Sequence, residues 1–150
     1  MGRHKIEMIL VVADGSEQSV KAARYAAELA RSIQPRITVV HVVPAPVVPQ
    51  DVGQLGAEGE LDAEKAAWES AEAVLDGASQ PFDEVGMAVE RIIRRGDVAS
   101  EVLSLAREEE FDLIVVAGRE GGRAKKAVGA SATDAVVRAA PCPVLVYRDP

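Results

Sequence analysis

The sequence predicts an α/β fold, a three-layer doubly wound sheet of five strands with helices on both faces. Three observations predict it. Short runs rich in Val and Ile recur along the chain, the composition of parallel strands buried on both faces. Between them the spacing of apolar residues becomes helical. Strands joined through helices of this length pair mostly in parallel, with right-handed crossovers.

The elements follow in order. Met8–Val12 is the first apolar run, and the chain then turns helical, with Ala22, Ala26, Leu29 and Ile33 on one face. Residues 37–43 form the second strand. Residues 44–60 carry Pro44, Pro46, Pro49, Gly53, Gly56 and Gly59 and fit no element. A loop this long is either disordered or a lid or partner site, and it lies at a strand's carboxyl end. A helix over residues 61–79 carries the lone Trp68. Residues 85–93 alternate, with Val85, Met87, Val89 and Ile93 on one face and Glu90 on the other, as in a strand with one face or edge nearer water. Asp97 is a candidate N-cap for the helix whose stripe is Val98, Val102 and Leu105. Leu113–Ala117 is the fourth strand. Ser131 and Asp134 have capping-box spacing and predict a helix starting at Ser131. Val144–Tyr147 is the fifth strand.

The bulk properties narrow the function. A chain of 150 residues with 48% hydrophobic content is expected to be one domain over residues 1–150. Seventeen Lys and Arg against 24 Asp and Glu give a net charge of −7, which repels phosphate backbones and argues against a nucleic-acid partner. The charged residues 1–7 lead into an apolar run too short for a signal peptide or a membrane span, so no membrane association and a cytoplasmic location are expected. Cys142 is the only cysteine, so no internal disulfide forms and no Cys/His cluster holds zinc.

Ligands of such sheets bind at the carboxyl ends of the strands. Two loops there carry polar chemistry. Asp14-Gly15-Ser16 is either a plain turn with a helix cap, started by Ser16 or Ser19, or a place where Asp14 accepts hydrogen bonds from sugar hydroxyls. Residues 118–131 combine glycines, a helix start and the cations Arg119, Arg123, Lys125 and Lys126 against one Glu120. In an acidic chain this is an anion site or else a solvated glycine turn. It is neither a P-loop nor a Gly-x-Gly-x-x-Gly fingerprint. His41, at a strand end with no second base near it in sequence, reads as structural. Cys142, between Pro141 and Pro143, reads as a small buried packing residue.

Taken together, ILVVADGSEQSVKAARYAAELA, ITVVHVV, RRGDVASEVLSLA, FDLIVVAGREGG and GASATDAVVRAAPCPVLVYR resemble, in order and spacing, the universal stress protein family over nearly the whole chain. The resemblance implies a Rossmann-like sheet of the adenine nucleotide alpha hydrolase type, in the order 3-2-1-4-5. It also implies homodimers paired through Val144, Leu145, Val146 and Tyr147. In one branch of the family an adenine nucleotide, ATP or AMP, with Mg accompanying ATP, binds at the ends of strands one and four; the other branch binds none. The binding pattern is a glycine, two residues, a glycine, nine residues, then a glycine followed by Ser or Thr. It maps onto Gly118 and Gly121, with Asp14 beside the ribose and the backbone of Val42 at the adenine. Ala13 and Ala117 complete the strand ends.

The third glycine departs from the pattern. Counting back from Pro141-Cys142-Pro143 puts Ser131 on the Ser/Thr and Ala130 on the glycine, leaving eight residues where nine are expected; Gly129 stands one residue early. A positive φ at Ala130 would weaken phosphate binding. Val12-Ala13 also replaces the Pro-Thr pair of many binding members. The sequence thus leads to a dimeric regulatory protein with a weak adenine nucleotide site, the alternative being a nucleotide-free stress protein acting through protein contacts. The signatures of adenylating ligases and nucleotidyl transferases, His-x-Gly-His and Ser-Gly-Gly-x-Asp-Ser, do not occur. No catalytic or metal-binding residue is assigned, and enzymatic activity is not expected.

Overall fold

Four apolar runs become strands because each can pack side chains on two faces, and a fifth, charged strand completes the sheet at one edge. The computed structural model describes residues 5–45, 52–118 and 128–149. Its elements are β1 (Met8–Val12), α1 (Glu17–Ile33), β2 (Arg36–Val43), α2 (Val52–Glu84), β3 (Val89–Arg95), α3 (Val98–Glu108), β4 (Leu113–Ala117), α4 (Val128–Ala139) and β5 (Val144–Tyr147). The sheet order is β3-β2-β1-β4-β5 and every pair is parallel. Central β1 pairs with β2 on one side, Ile9 opposite Ile37, and with β4 on the other, Ile9 opposite Leu113.

The sheet divides the core into two layers. On one face α1 and α2 close over Ile9, Val11, Val39 and Val115. Ala22, Ala23, Ala26, Ala27 and Ala30 are all buried, so α1 presents a flat face of small residues that lets backbones approach closely. Phe82, fully buried, anchors the end of α2, a burial worth roughly 1.5–3 kcal/mol. On the other face α3 and α4 cover Leu10, Val40, Ile114 and Val116 through Val102, Leu105 and Val136. Among the described residues no helix is long and apolar enough to cross a membrane.

The caps follow the sequence at two helices. Ser16 caps α1, its side chain accepting from the Ser19 N–H. Asp97 caps α3 as expected; the backbone N–H and hydroxyl of Ser100 both donate to its carboxylate and hold that carboxyl below its usual range.

Four elements differ from expectation, the least of them β2, which begins at Arg36 rather than at residue 37. The strand expected over residues 85–93 is β3 at Val89–Arg95: Gly86 turns the chain at φ 74°, and the Met87 N–H bonds to the Phe82 carbonyl rather than to a neighbouring strand. Val85, Met87, Val89 and Ile93 nevertheless share one face, packed on the α1/α2 layer. The helix expected over residues 61–79 extends to Val52–Glu84 and absorbs residues 52–60 of the expected loop. Its Ala, Glu and Lys content outweighs Gly53, Gly56 and Gly59, each of which costs about 1 kcal/mol against Ala. Pro81 is accommodated inside its last turn. Residues 46–51 lie outside the described residues. Finally, α4 begins at Val128, so Ser131 is an interior position rather than its cap.

A cleft at the carboxyl ends of the strands

The cleft starts where β1 runs out. The Ala13 N–H donates to the Val40 carbonyl at 2.8 Å, carrying the parallel ladder one residue past the strand. The Ala13 carbonyl is 2.7 Å from His41 Nδ1. A carbonyl can only accept, so Nδ1 carries the proton and His41 ties the ends of β1 and β2 together. This is the structural role expected for His41.

Asp14 follows, exposed at the rim. Its Oδ1 accepts from the Ser16 N–H at 2.8 Å and the Ser16 hydroxyl at 2.5 Å, and its own N–H donates to Ser19 Oγ at 3.3 Å. Gly15 makes the turn at φ 86°, and a Cβ there would sit 3.2 Å from Val74 of α2, so both conformation and space favour glycine.

These strand ends border a cleft of about 220 Å³ between the sheet and the α3/α4 layer. Ala13, Asp14, Val42 and Ala117, four of the residues singled out by the sequence, line it together. Its apolar wall comes from Val98 and Val102 of α3 and Val136 of α4, which sequence reasoning did not assign to the site. They belong to helical stripes, and spacing alone does not separate a valine packed on the sheet from one walling a cleft. Thr133 was also missed; it lines the cleft and donates from Oγ1 to the Ala117 carbonyl at 3.2 Å.

The remaining assigned residues divide. Gly118 turns against β5: its N–H donates to the Tyr147 carbonyl at 2.6 Å, and a Cβ would lie 2.7 Å from Arg148 Cγ and 3.0 Å from that carbonyl oxygen. The close approach of β5 is therefore sufficient reason for a glycine at this position. Gly121 lies outside the described residues. Gly129 and Ala130 lie in the first turn of α4, whose N–H groups lack intrahelical partners and carry the positive end of the helix dipole, and the N–H of Ser131 is the first to enter the helical ladder. Ala130 is helical there, so the positive φ considered for it does not occur. The dimer residues Val144 to Tyr147 form the edge strand β5, paired within the chain to β4 alone.

Away from the cleft, at the amino ends of the strands, Cys142 borders an open groove of about 670 Å³. It is half-buried rather than buried; desolvation, with the Asp112 charge, pushes its thiol pKa up and favours the neutral thiol.

Comparison with known proteins fixes the lineage. A family model described as the universal stress protein family matches residues 5–148. The chain belongs to the universal stress protein family. A universal stress protein of Methanocaldococcus jannaschii is 30% identical over 151 residues, covering 99% of this chain and 86% of the relative. Among solved structures, a universal stress protein family member from Burkholderia pseudomallei is 28% identical with a TM-score of 0.72, covering 99% of this chain and 100% of its own. Universal stress proteins sharing the fold at lower identity include one from Arabidopsis thaliana with AMP bound, 18% identical with a TM-score of 0.68 over 96% of this chain and 92% of its own. Others were solved in complex with dAMP and cAMP.

Proposed function

We propose that this universal stress protein is a dimeric regulatory protein that binds an adenine nucleotide, ATP or AMP, at the carboxyl ends of β1 and β4. The observation that carries the reading is the convergence of Ala13, Asp14, Val42 and Ala117, from three strands and their loops, on one cleft. Its lining suits a nucleoside, with valine walls for a flat base and a carboxylate at the rim for ribose hydroxyls, and the amino end of α4, just ahead of the lining residues Ala132 and Thr133, would serve phosphate. The family members solved with AMP, dAMP and cAMP support this ligand class. Phosphate contacts would come from the N–H groups of Gly129 and Ala130, just ahead of Ser131, and Mg would accompany ATP as part of the ligand.

Binding is expected to be weak, with a Kd on the order of tens to hundreds of micromolar: a loop one residue short forfeits about one charge-assisted bond of roughly 1.5–3 kcal/mol. The protein binds without turnover, because the imidazole nearest the cleft is engaged on the Ala13 carbonyl. It works in the cytoplasm, whose reducing conditions suit its free Cys142 thiol. One feature favours the alternative, a nucleotide-free protein acting through protein contacts: the cleft, about 220 Å³, is below the roughly 300–1,000 Å³ usual for small-molecule sites.

Calorimetric titration with ATP and AMP decides between the two, alongside chromatography of whatever heat-denatured protein from cells releases. Saturable binding or released ATP or AMP supports the nucleotide site; no heat at millimolar nucleotide and no release leave the alternative.

A further inference from the structure

We propose that Ser16 is a positioning residue for the nucleotide site, its hydroxyl holding the Asp14 carboxylate toward the cleft so that Oδ2 meets a ribose hydroxyl. The inference rests on the nucleotide reading above and adds a residue that does not itself line the cleft.

Proton accounting carries it. Ser16 Oγ accepts the Ser19 N–H at 3.1 Å as the cap of α1. It also lies 2.5 Å from Asp14 Oδ1, and an ionised carboxylate only accepts, so the single hydroxyl proton of Ser16 points at Asp14. The Ser16 N–H donates to the same oxygen at 2.8 Å. Ser19 completes the arrangement: its Oγ accepts the Asp14 N–H at 3.3 Å and donates to the Ser16 carbonyl at 3.0 Å. Asp14 is thus gripped at its backbone by Ser19 and at one carboxylate oxygen by Ser16. Both grips on the carboxylate fall on Oδ1, leaving Oδ2 for a ligand. At an exposed rim such bonds add little stability; their effect is to fix an otherwise mobile side chain before the ligand arrives.

The cap and the positioning role separate by substitution. Ser16→Asp keeps a good N-cap and replaces the donor to Asp14 by a like charge. Ser16→Thr keeps both functions. Each protein is titrated with AMP and with 2′,3′-dideoxy-AMP, which offers Asp14 no hydroxyl, and its melting temperature is measured. The wild type and Ser16→Thr should prefer AMP by about tenfold, one charge-assisted hydrogen bond. Ser16→Asp should lose that preference while its melting temperature stays close to the wild type. A preference retained in Ser16→Asp, or lost equally in Ser16→Thr, overturns the proposal.

Coupling constants reporting the Asp14 χ1 angle in the unliganded wild type give an arm independent of nucleotide. One dominant rotamer that becomes averaged in Ser16→Asp supports the grip, and averaging already in the wild type overturns it. Absence of AMP binding by the wild type, with Asp14 held in one rotamer, would refute the nucleotide reading and the ribose role while sustaining the grip itself.

Discussion

The two edges of the sheet are built in opposite ways. At one edge, β3 reads Val-Glu-Arg-Ile-Ile-Arg-Arg, and its arginines reach carboxylates on both flanking helices. Arg91 pairs with Asp76 and Arg95 with Glu64, both on α2, while Arg94 bridges Glu101 and Glu108 on α3. At the other edge, β5 reads Val-Leu-Val-Tyr and carries no charge. An open ladder lined by arginines resists pairing with another chain; an open ladder lined by valines invites it. The difference teaches which edge is available for self-association, and it favours β5 as the surface of the proposed dimer.

The largest expected effect of breaking this asymmetry is at Leu145. A charge in the middle of β5, Leu145→Asp, should raise the dimer dissociation constant by at least about a hundredfold, since two like charges would approach across a two-fold axis. Sedimentation at micromolar concentration should give a dimer for the wild type and a monomer for the variant, with helical circular dichroism retained. A wild-type monomer, or a variant that remains dimeric, would remove β5 from the interface.

Next comes Gly118, which supports the β5 edge from within. In Gly118→Ala the new methyl meets Arg148 Cγ at 2.7 Å and the Tyr147 carbonyl at 3.0 Å, so the end of β5 must shift away from β4. Overpacking of this kind costs roughly 1–3 kcal/mol. Urea unfolding should show the loss. If Gly118 mattered only for a phosphate, stability would be unchanged and nucleotide affinity alone would fall.

How much of this was legible in the sequence depends on what each residue had to distinguish. The strands β1, β4 and β5 have the expected bounds, because burial on both faces demands an uninterrupted apolar run and little else produces one. For β3 the alternation was right and the start was wrong: Val85 and Met87 pack on the same core as Val89, so parity alone cannot tell a strand from the turn leading into it. The glycines of residues 52–60 suggested a loop where helix-forming neighbours prevail. In the cleft, Asp14 was legible because strand ends are where such sheets bind ligands, whereas Ala13, Val42 and Ala117 came from the resemblance to the family. Val98, Val102 and Val136 were not, because their stripes also build the core.

A smaller effect sharpens the comparison from the β3 side. Arg94 has 29% of its side chain exposed and contacts two carboxylates, a better-sheltered pairing than most surface ion pairs. Arg94→Val should cost only about 0.5–1 kcal/mol in stability. Combined with Arg91→Val, it leaves only Glu90 and Arg95 charged on β3 and should convert dimers into larger assemblies visible by light scattering. If the double variant stays dimeric, Arg91 and Arg94 are not what keeps that edge closed.

The smallest effect is expected where β5 is tied to α1. Lys21 Nζ lies 2.6 Å from Asp149 Oδ2, just beyond the strand, and the rings of Tyr25 and Tyr147 pack at 5.7 Å. The hydrogen bond between Lys21 and Asp149 lowers the carboxyl pKa and raises that of the amine. The signs set the pH window. A depressed Asp149 contributes above its unfolded value of about 3.9 and loses that contribution as pH falls through its lower folded value. A raised Lys21 contributes below about 10.4 and loses it as pH rises through its higher folded value. The pair is therefore at full strength from about pH 4 to pH 10, and both groups are exposed, so salt screens it. Lys21→Ala should move the melting temperature only slightly, equally at pH 5 and pH 9, with the difference vanishing at high salt and once pH falls below the lowered folded pKa of Asp149. A difference that grew between pH 5 and pH 9 would require a titrating partner other than Asp149.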